Sequence, residues 1–284
     1  MYTTLIATDE LVSNRDNAWV VVDCRYDLRN TDAGREQYLQ AHIPGAVYAH
    51  LSRDLSGPVG PVGGRHPIPA TEAIKATFSR LGIGRDVQVV MYDADAGMFA
   101  SRMWWTLHYM GHTAAAVLDG GWTTWLREGR PQRAGEETRA SATFAGQPRD
   151  ELRLSVSDVE ALLEDPSTLL VDARAAERFE GGNGPIDRAP GHIPGAVNHF
   201  FRKNATDEGV MLPPDALRQQ FANVIGSRSP EQVVMYCGSG VTACQNLLAM
   251  EHAGLTGARL YPGSWSEWSS DPGRPVETGP ARRR

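Results

Sequence analysis

Cysteine is scarce, three residues in 284, and an odd count this small excludes a disulfide framework and leaves at least one thiol unpaired. Cys24, Cys237 and Cys244 are expected as reduced thiols, which points to the cytoplasm. Long apolar runs are lacking as well. No stretch approaches the ~20 residues a spanning helix needs, and the start MYTTLIATDELVS carries Asp9 and Glu10 where a signal peptide is apolar, so no membrane association is expected. Positive charge is in deficit: 28 Lys and Arg against 34 Asp and Glu leave a net charge of -6, which argues against a nucleic-acid partner. The basic tail ARRR (281–284) reads as a solvated terminus. Cysteines with no C-x-x-C spacing, and no paired histidines, supply no ligand set, so no metal is expected.

What is present suits a soluble globular chain of one or two domains, with 41% hydrophobic and 22% charged residues. The informative feature is self-similarity. AHIPGAV (41–47) returns as GHIPGAV (191–197), and each copy follows an apolar run ending in acid and arginine, WVVVDCR (19–25) and TLLVDAR (168–174). Downstream, QVVMYDADAG from Gln88 answers QVVMYCGSGV from Gln232, and VLDGGWTTW (117–125) answers RLYPGSWSEW (259–268). Two homologous domains follow, at 1–135 and 153–284, with the polar, aperiodic stretch 136–152 as linker.

Within each half, β-branched runs (Val20–Asp23, Val87–Tyr92, Thr168–Asp172, Gln232–Tyr236) alternate with helical patterns such as TEAIKATFSRLG and PPDALRQQFANVIG. The fold class is therefore α/β, each domain a mostly parallel sheet flanked by helices. Ligands of such sheets sit beyond the carboxyl ends of the strands, and Cys237 falls there. QVVMY is the strand, CGSGVT the turn, and ACQNLLAMEHAG a helix that Gly254 terminates.

Gly238 and Gly240 permit a backbone that turns successive N–H groups inward; the helix N-terminus adds positive potential, and Ser239 and Thr242 add hydroxyls. With Val241, residues 238–242 form an anion cradle in which a thiolate is favoured over a thiol. Cys237 is the candidate nucleophile. Cys244, inside the helix, reads as packing, and so does Cys24, whose counterpart is Ala173.

These motifs resemble the tandem-domain rhodanese, or sulfurtransferase, family over nearly the whole chain, and the loop CGSGVTA is similar to that of its 3-mercaptopyruvate sulfurtransferases. The resemblance implies that Cys237 takes a sulfane sulfur from a small-molecule donor as a persulfide. It then passes the sulfur to thioredoxin, a low-molecular-weight thiol or cyanide, with no cofactor. Asp93 stands where the first half would need the cysteine, so that half is the inactive one. An uncharged loop suits the monoanionic carboxylate of mercaptopyruvate better than dianionic thiosulfate.

Arginine must then come from elsewhere. The resemblance assigns Arg178, whose guanidinium fork suits a carboxylate, with Arg188 as the candidate second arginine. It also places His66 near the loop, with Ser239 as its hydroxyl partner. The family's aspartate is replaced in YAHLSRDLSG, where His50 and Ser52 occupy the matching positions and Asp54 is the nearest acid. His42 and His192 read as structural because both halves keep them. Trp122 and Trp265 read as core, with Trp265 at the rim of the pocket.

Three rivals stand beside this reading. A phosphatase loop needs arginine six residues after the cysteine, and that residue is Ala243. A non-catalytic, sulfur-carrier-binding module would not need Cys237. A thiosulfate:cyanide sulfurtransferase is the enzymatic runner-up, with Arg202 or Lys203 as its cations.

Overall fold

Two β-branched tetrapeptides, VVVD at Val20–Asp23 and LLVD at Leu169–Asp172, are strands at the heart of two separate parallel sheets. The computed structural model describes residues 1–14, 19–182 and 186–281. The tail 282–284, and residues 183–185 in the stretch preceding the second HIPGA segment, lie outside the described residues.

The chain divides into two compact units. The first comprises Met1–Gly57, Pro69–Arg149 and Ala205–Met211; the second comprises Pro58–Ile68, Asp150–Asn204 and the residues from Leu212 onward. Each unit thus takes in a short segment from the opposite half of the sequence, and residues 58–68, which carry His66, belong to the same unit as Cys237.

The first unit's strands are β1 (Leu5–Ile6), β2 (Val20–Asp23), β3 (Val47–Tyr48), β4 (Val89–Tyr92) and β5 (Ala115–Leu118), in the order β1-β5-β4-β2-β3. The second unit's are β6 (Leu169–Asp172), β7 (Val197–Asn198), β8 (Val233–Tyr236) and β9 (Arg259–Leu260), in the order β7-β6-β8-β9. All pairs are parallel. Buried side chains on both faces explain the unbroken apolar runs of the central strands, because helices cover such a sheet on either side.

Register makes the two units superimposable in sequence terms. Asp23 pairs with Tyr92 and Asp172 with Tyr236, so Asp93 and Cys237 each emerge one residue past the same strand end.

The repeated motifs act as internal clasps. Arg25 and Arg174 grip Asp23 and Asp172 through Nε and Nη2, with Nη2 to Oδ2 distances of 2.5 and 2.7 Å. Their guanidinium carbons lie 4.6 and 4.9 Å from the ring centroids of Trp122 and Trp265, a cation–π contact that keeps a buried charge paired on two sides. The HIPGA histidines bond the preceding helix through Nδ1, to the carbonyls of Tyr38 (2.7 Å) and Phe179 (2.8 Å). Each also pairs its backbone with a returning segment, at Arg133 and Glu277. These features serve the fold, which is why the half lacking the cysteine keeps them.

The polar stretch after the first unit's last helix is laid along that unit. Ala142 donates its N–H to the Ser79 carbonyl, Arg149 to the Tyr109 carbonyl, and the Phe144 ring packs 5.0 Å from Phe78. Among the described residues no helix is long and apolar enough to cross a membrane.

Candidate active site

β8 delivers Cys237 to the carboxyl edge of the second sheet, where the residue is 2% exposed. Its backbone is pinned on both sides. The N–H donates to Ser264 Oγ at 3.1 Å, the carbonyl accepts from Trp265 N–H at 2.9 Å, and the Gly238 carbonyl accepts from Ser266 N–H at 3.0 Å. Helix Ser264–Trp268 therefore fixes the start of the loop.

The two glycines differ in what they contribute. Gly240 has a φ of +74°, and a Cβ there would lie 2.3 Å from the Pro262 carbonyl oxygen, so only glycine fits. Gly238 does not adopt a left-handed φ, which corrects the expectation of a conformational role for both. What its missing Cβ leaves is close approach by arginine: that Cβ would lie 3.0 Å from Arg178 Nη2 and 3.1 Å from Arg65 Nη2. The helix behind the loop begins at Thr242, with Val241 as its N-cap, and runs to His252. Cys244 Sγ donates to the Gly240 carbonyl at 3.3 Å, so this buried thiol ties helix to loop. Cys24 is likewise buried, against Met103 Sδ at 3.7 Å.

The first unit has an anion in the corresponding place. Asp93 Oδ1 accepts from the N–H groups of Asp95 (2.8 Å) and Gly97 (3.0 Å), and Oδ2 from those of Phe99 (2.7 Å) and Ala100 (2.8 Å). Burial pushes this carboxyl up, and hydrogen bonds from Ala100, Asp95 and Phe99 pull it back without fully compensating. A strand-to-helix loop of this architecture thus converges four backbone donors on one negative group.

Arg178 sits on the short helix Ala176–Glu180 and forks onto Asp187, Nε to Oδ2 and Nη2 to Oδ1, both at 2.7 Å. Arg174 Nη1 reaches the same carboxylate at 3.4 Å. Burial works against the Asp187 charge, but the hydrogen bond and charge of Arg178, with the charges of Arg174 and Arg65, outweigh it and hold the carboxyl below its ordinary range. Arg65 donates through Nη1 to the Ile186 carbonyl at 3.0 Å. Burial lowers the Arg65 guanidinium, a cost partly offset by the charges of Asp187 and Cys237. Sequence reasoning missed Arg65; its one signal was adjacency to His66.

His66 Nδ1 and Ser239 Oγ are hydrogen-bonded at 2.8 Å, both groups buried. Other expected partners lie elsewhere. Asp54 accepts from His50 N–H at 2.8 Å and pairs with Arg80, while the His50 ring caps the helix Leu51–Asp54 and Ser52 bonds Tyr26. Arg188 is exposed and, with Arg65, Ser266 and Glu267, lines a surface pocket of about 250 Å³. Arg202 lies over the Phe201 ring at 5.4 Å and Lys203 is exposed. Trp265 is fully buried beneath Arg174, which removes it from the rim of a pocket; its indole N–H donates to the Ala189 carbonyl at 3.0 Å.

The assembled site is a thiol at a strand end, a glycine turn leading into a helix N-terminus, and two guanidinium groups flanking the next residue. Such an arrangement brings positive charge to the thiol and to the space beside it, where an anionic small molecule would be met favourably. The model of the rhodanese-like domain matches residues 7–128 and 155–271. A probable 3-mercaptopyruvate sulfurtransferase of Pseudomonas aeruginosa is 44% identical over 262 residues, covering 92% of each chain. A putative thiosulfate sulfurtransferase of Mycobacterium tuberculosis is 38% identical over 269 residues, covering 92% of this chain and 91% of the relative. Among solved structures, a 3-mercaptopyruvate sulfurtransferase from Leishmania major aligns with a TM-score of 0.85 at 29% identity, over 94% of this chain and 74% of that one. The chain belongs to the rhodanese family, as a tandem of two rhodanese-like domains.

Proposed function

We propose that the protein is a sulfurtransferase that carries sulfur from 3-mercaptopyruvate to a thiol or cyanide as a persulfide on Cys237. In the first half-reaction the Cys237 thiolate attacks the donor's sulfur. The S–S bond forms as the C–S bond breaks, the electron pair leaves on carbon as the pyruvate enolate, and a proton converts that enolate to pyruvate. The Ser239 hydroxyl, bonded to His66, is the proton-handling pair of the loop. In the second half-reaction an acceptor thiolate or cyanide attacks the outer sulfur, forming an acceptor persulfide or thiocyanate and returning the Cys237 thiolate.

The observation that carries this reading is the pair of guanidinium groups, Arg178 and Arg65, meeting at the residue after Cys237. They bring positive charge to a loop whose Gly-Ser-Gly has none; Arg178 is already met by Asp187, and a bound donor carboxylate is the counter-ion open to Arg65. Asp93 supports the cradle: the first unit uses the same strand end to hold a carboxylate, and a persulfide is an anion of the same sign. The repeat supports an inactive domain at 1–135, a connection at 136–152 and a catalytic domain at 153–284, with residues 58–68 grouped with Cys237 and residues 136–149 and 205–211 grouped with Asp93, in a protein that works where thiols stay reduced, as in the cytoplasm. No disulfide joins Cys24, Cys237 and Cys244.

Thiosulfate is the second donor to consider, because two arginines beside the loop weaken the case against a dianion. Trapping tests the reading: mercaptopyruvate without acceptor should add the mass of one sulfur atom to the Cys237 peptide, and an unmodified peptide would reject it.

A further inference from the structure

The segment 58–68 is seated in the second unit by contacts at four successive residues. Gly63 N–H donates to Glu267 Oε1 at 2.6 Å, Arg65 N–H to Ser266 Oγ at 3.0 Å, and His66 Nδ1 meets Ser239 Oγ at 2.8 Å. Between them Gly64 lies so close to helix Ser264–Trp268 that a Cβ would sit 2.4 Å from Ser266 Oγ and 2.5 Å from the Gly263 carbonyl oxygen. A backbone held at 63, 64, 65 and 66 fixes where the Arg65 side chain starts, and the Nη1 bond to the Ile186 carbonyl fixes where it ends. Nη2 is then aimed at Gly238.

The hydrogen bonds around the site set Arg65 apart from the other two arginines. Arg174 is committed to Asp172, and Arg178 commits Nε and Nη2 to Asp187. Arg65 holds only a neutral carbonyl in the hydrogen bond described for its side chain. Among the described residues, Arg65 is the one of these three guanidinium groups whose side-chain hydrogen bond goes to no carboxylate, and the charges it faces are those of Asp187 and Cys237.

We propose that Arg65 is a donor-binding residue that sets how well the site takes a doubly charged donor relative to a singly charged one. This rests on Cys237 as the sulfur-transfer nucleophile. Coulomb energy scales with the product of charges, so removing one positive charge lowers the rate for a dianion by about the square of the factor for a monoanion. One charge-assisted hydrogen bond corresponds to roughly a tenfold change or more. Arg65→Gln is therefore expected to lower kcat/KM by roughly tenfold for mercaptopyruvate and roughly a hundredfold for thiosulfate, and Arg65→Lys to recover part of both.

A second readout does not depend on turnover. Alkylation of Cys237 by iodoacetate, an anion, and by neutral iodoacetamide is measured site by site by peptide mass spectrometry. The ratio of the two rates reports local positive charge, and the iodoacetamide rate reports thiolate fraction and loop integrity together. Arg65→Gln should lower the ratio several-fold, because any change in thiolate fraction slows both reagents alike and cancels in it, and Arg65→Lys should restore most of it. A falling ratio in a protein that turns over neither donor would keep the placement of Arg65 and reject the sulfurtransferase reading. An unchanged ratio, or equal losses for the two donors, overturns the inference.

Discussion

Asp93→Ala isolates the anion-holding geometry from the chemistry, because it perturbs the half of the molecule without the cysteine. The substitution removes two oxygens that together accept four backbone N–H bonds of 2.7 to 3.0 Å in a residue 1% exposed. Each buried donor left without an acceptor costs about 1–3 kcal/mol, so four at the low end give about 4 kcal/mol. Two effects reduce the loss: water enters the vacated space, and the carboxylate no longer bears the burial that pushes its ionisation up. The expected local destabilisation is about 2–4 kcal/mol, with Asp93→Asn, which keeps one oxygen, near the lower bound. Because two units need not unfold together, the measurement is amide hydrogen exchange resolved by peptide, comparing residues 93–109 with 237–252. Faster exchange confined to the first segment is the expected result. A change below about 0.5 kcal/mol would refute the claim that the loop stabilises a negative group.

The Asp187 carboxyl is held below its ordinary range in the folded protein. Its contribution to stability is therefore present above the unfolded value, about 4, and is lost as pH falls through the lowered folded one. Asp187→Asn should flatten the acid limb of a plot of Tm against pH below about 4, and parallel limbs in the two proteins would contradict the ion-pair assignment. For the loop, Gly240→Ala places a Cβ 2.3 Å from the Pro262 carbonyl oxygen at a φ of +74°, which costs more than the roughly 1–2 kcal/mol of a left-handed alanine alone. It should lower Tm by several degrees, whereas Gly238→Ala, whose Cβ meets only side-chain ends at 3.0 and 3.1 Å, should lower it far less; equal effects would refute the distinction between the two glycines.

Much of this site was legible in the sequence, for identifiable reasons. The run Val20–Asp23 matched its strand because buried parallel strands are continuous apolar runs with a polar stop, and Cys237 stood out because it follows such a strand and precedes a glycine turn. Gln232 was drawn into the short 3-10 turn Pro230–Gln232 instead of the strand, and the two-residue strands β1, β3, β7 and β9 were too short to carry any period. Arg65 was not legible, since its partners Ile186 and Gly238 are distant in sequence and no periodicity links them. The cradle around Asp93 was hidden for a related reason: the side chain announces that the thiol is gone but not which four N–H groups it accepts. The seating of residues 58–68 in the second unit depends on backbone contacts that residue types do not encode.

The central claim is that Cys237 transfers sulfur from mercaptopyruvate. The most direct measurement is steady-state kcat/KM for mercaptopyruvate and for thiosulfate, with cyanide or a dithiol as acceptor, on the wild type and on Cys237→Ser. The account predicts turnover that favours mercaptopyruvate and disappears in the variant. Retention of activity in Cys237→Ser, or a preference for thiosulfate, would contradict it.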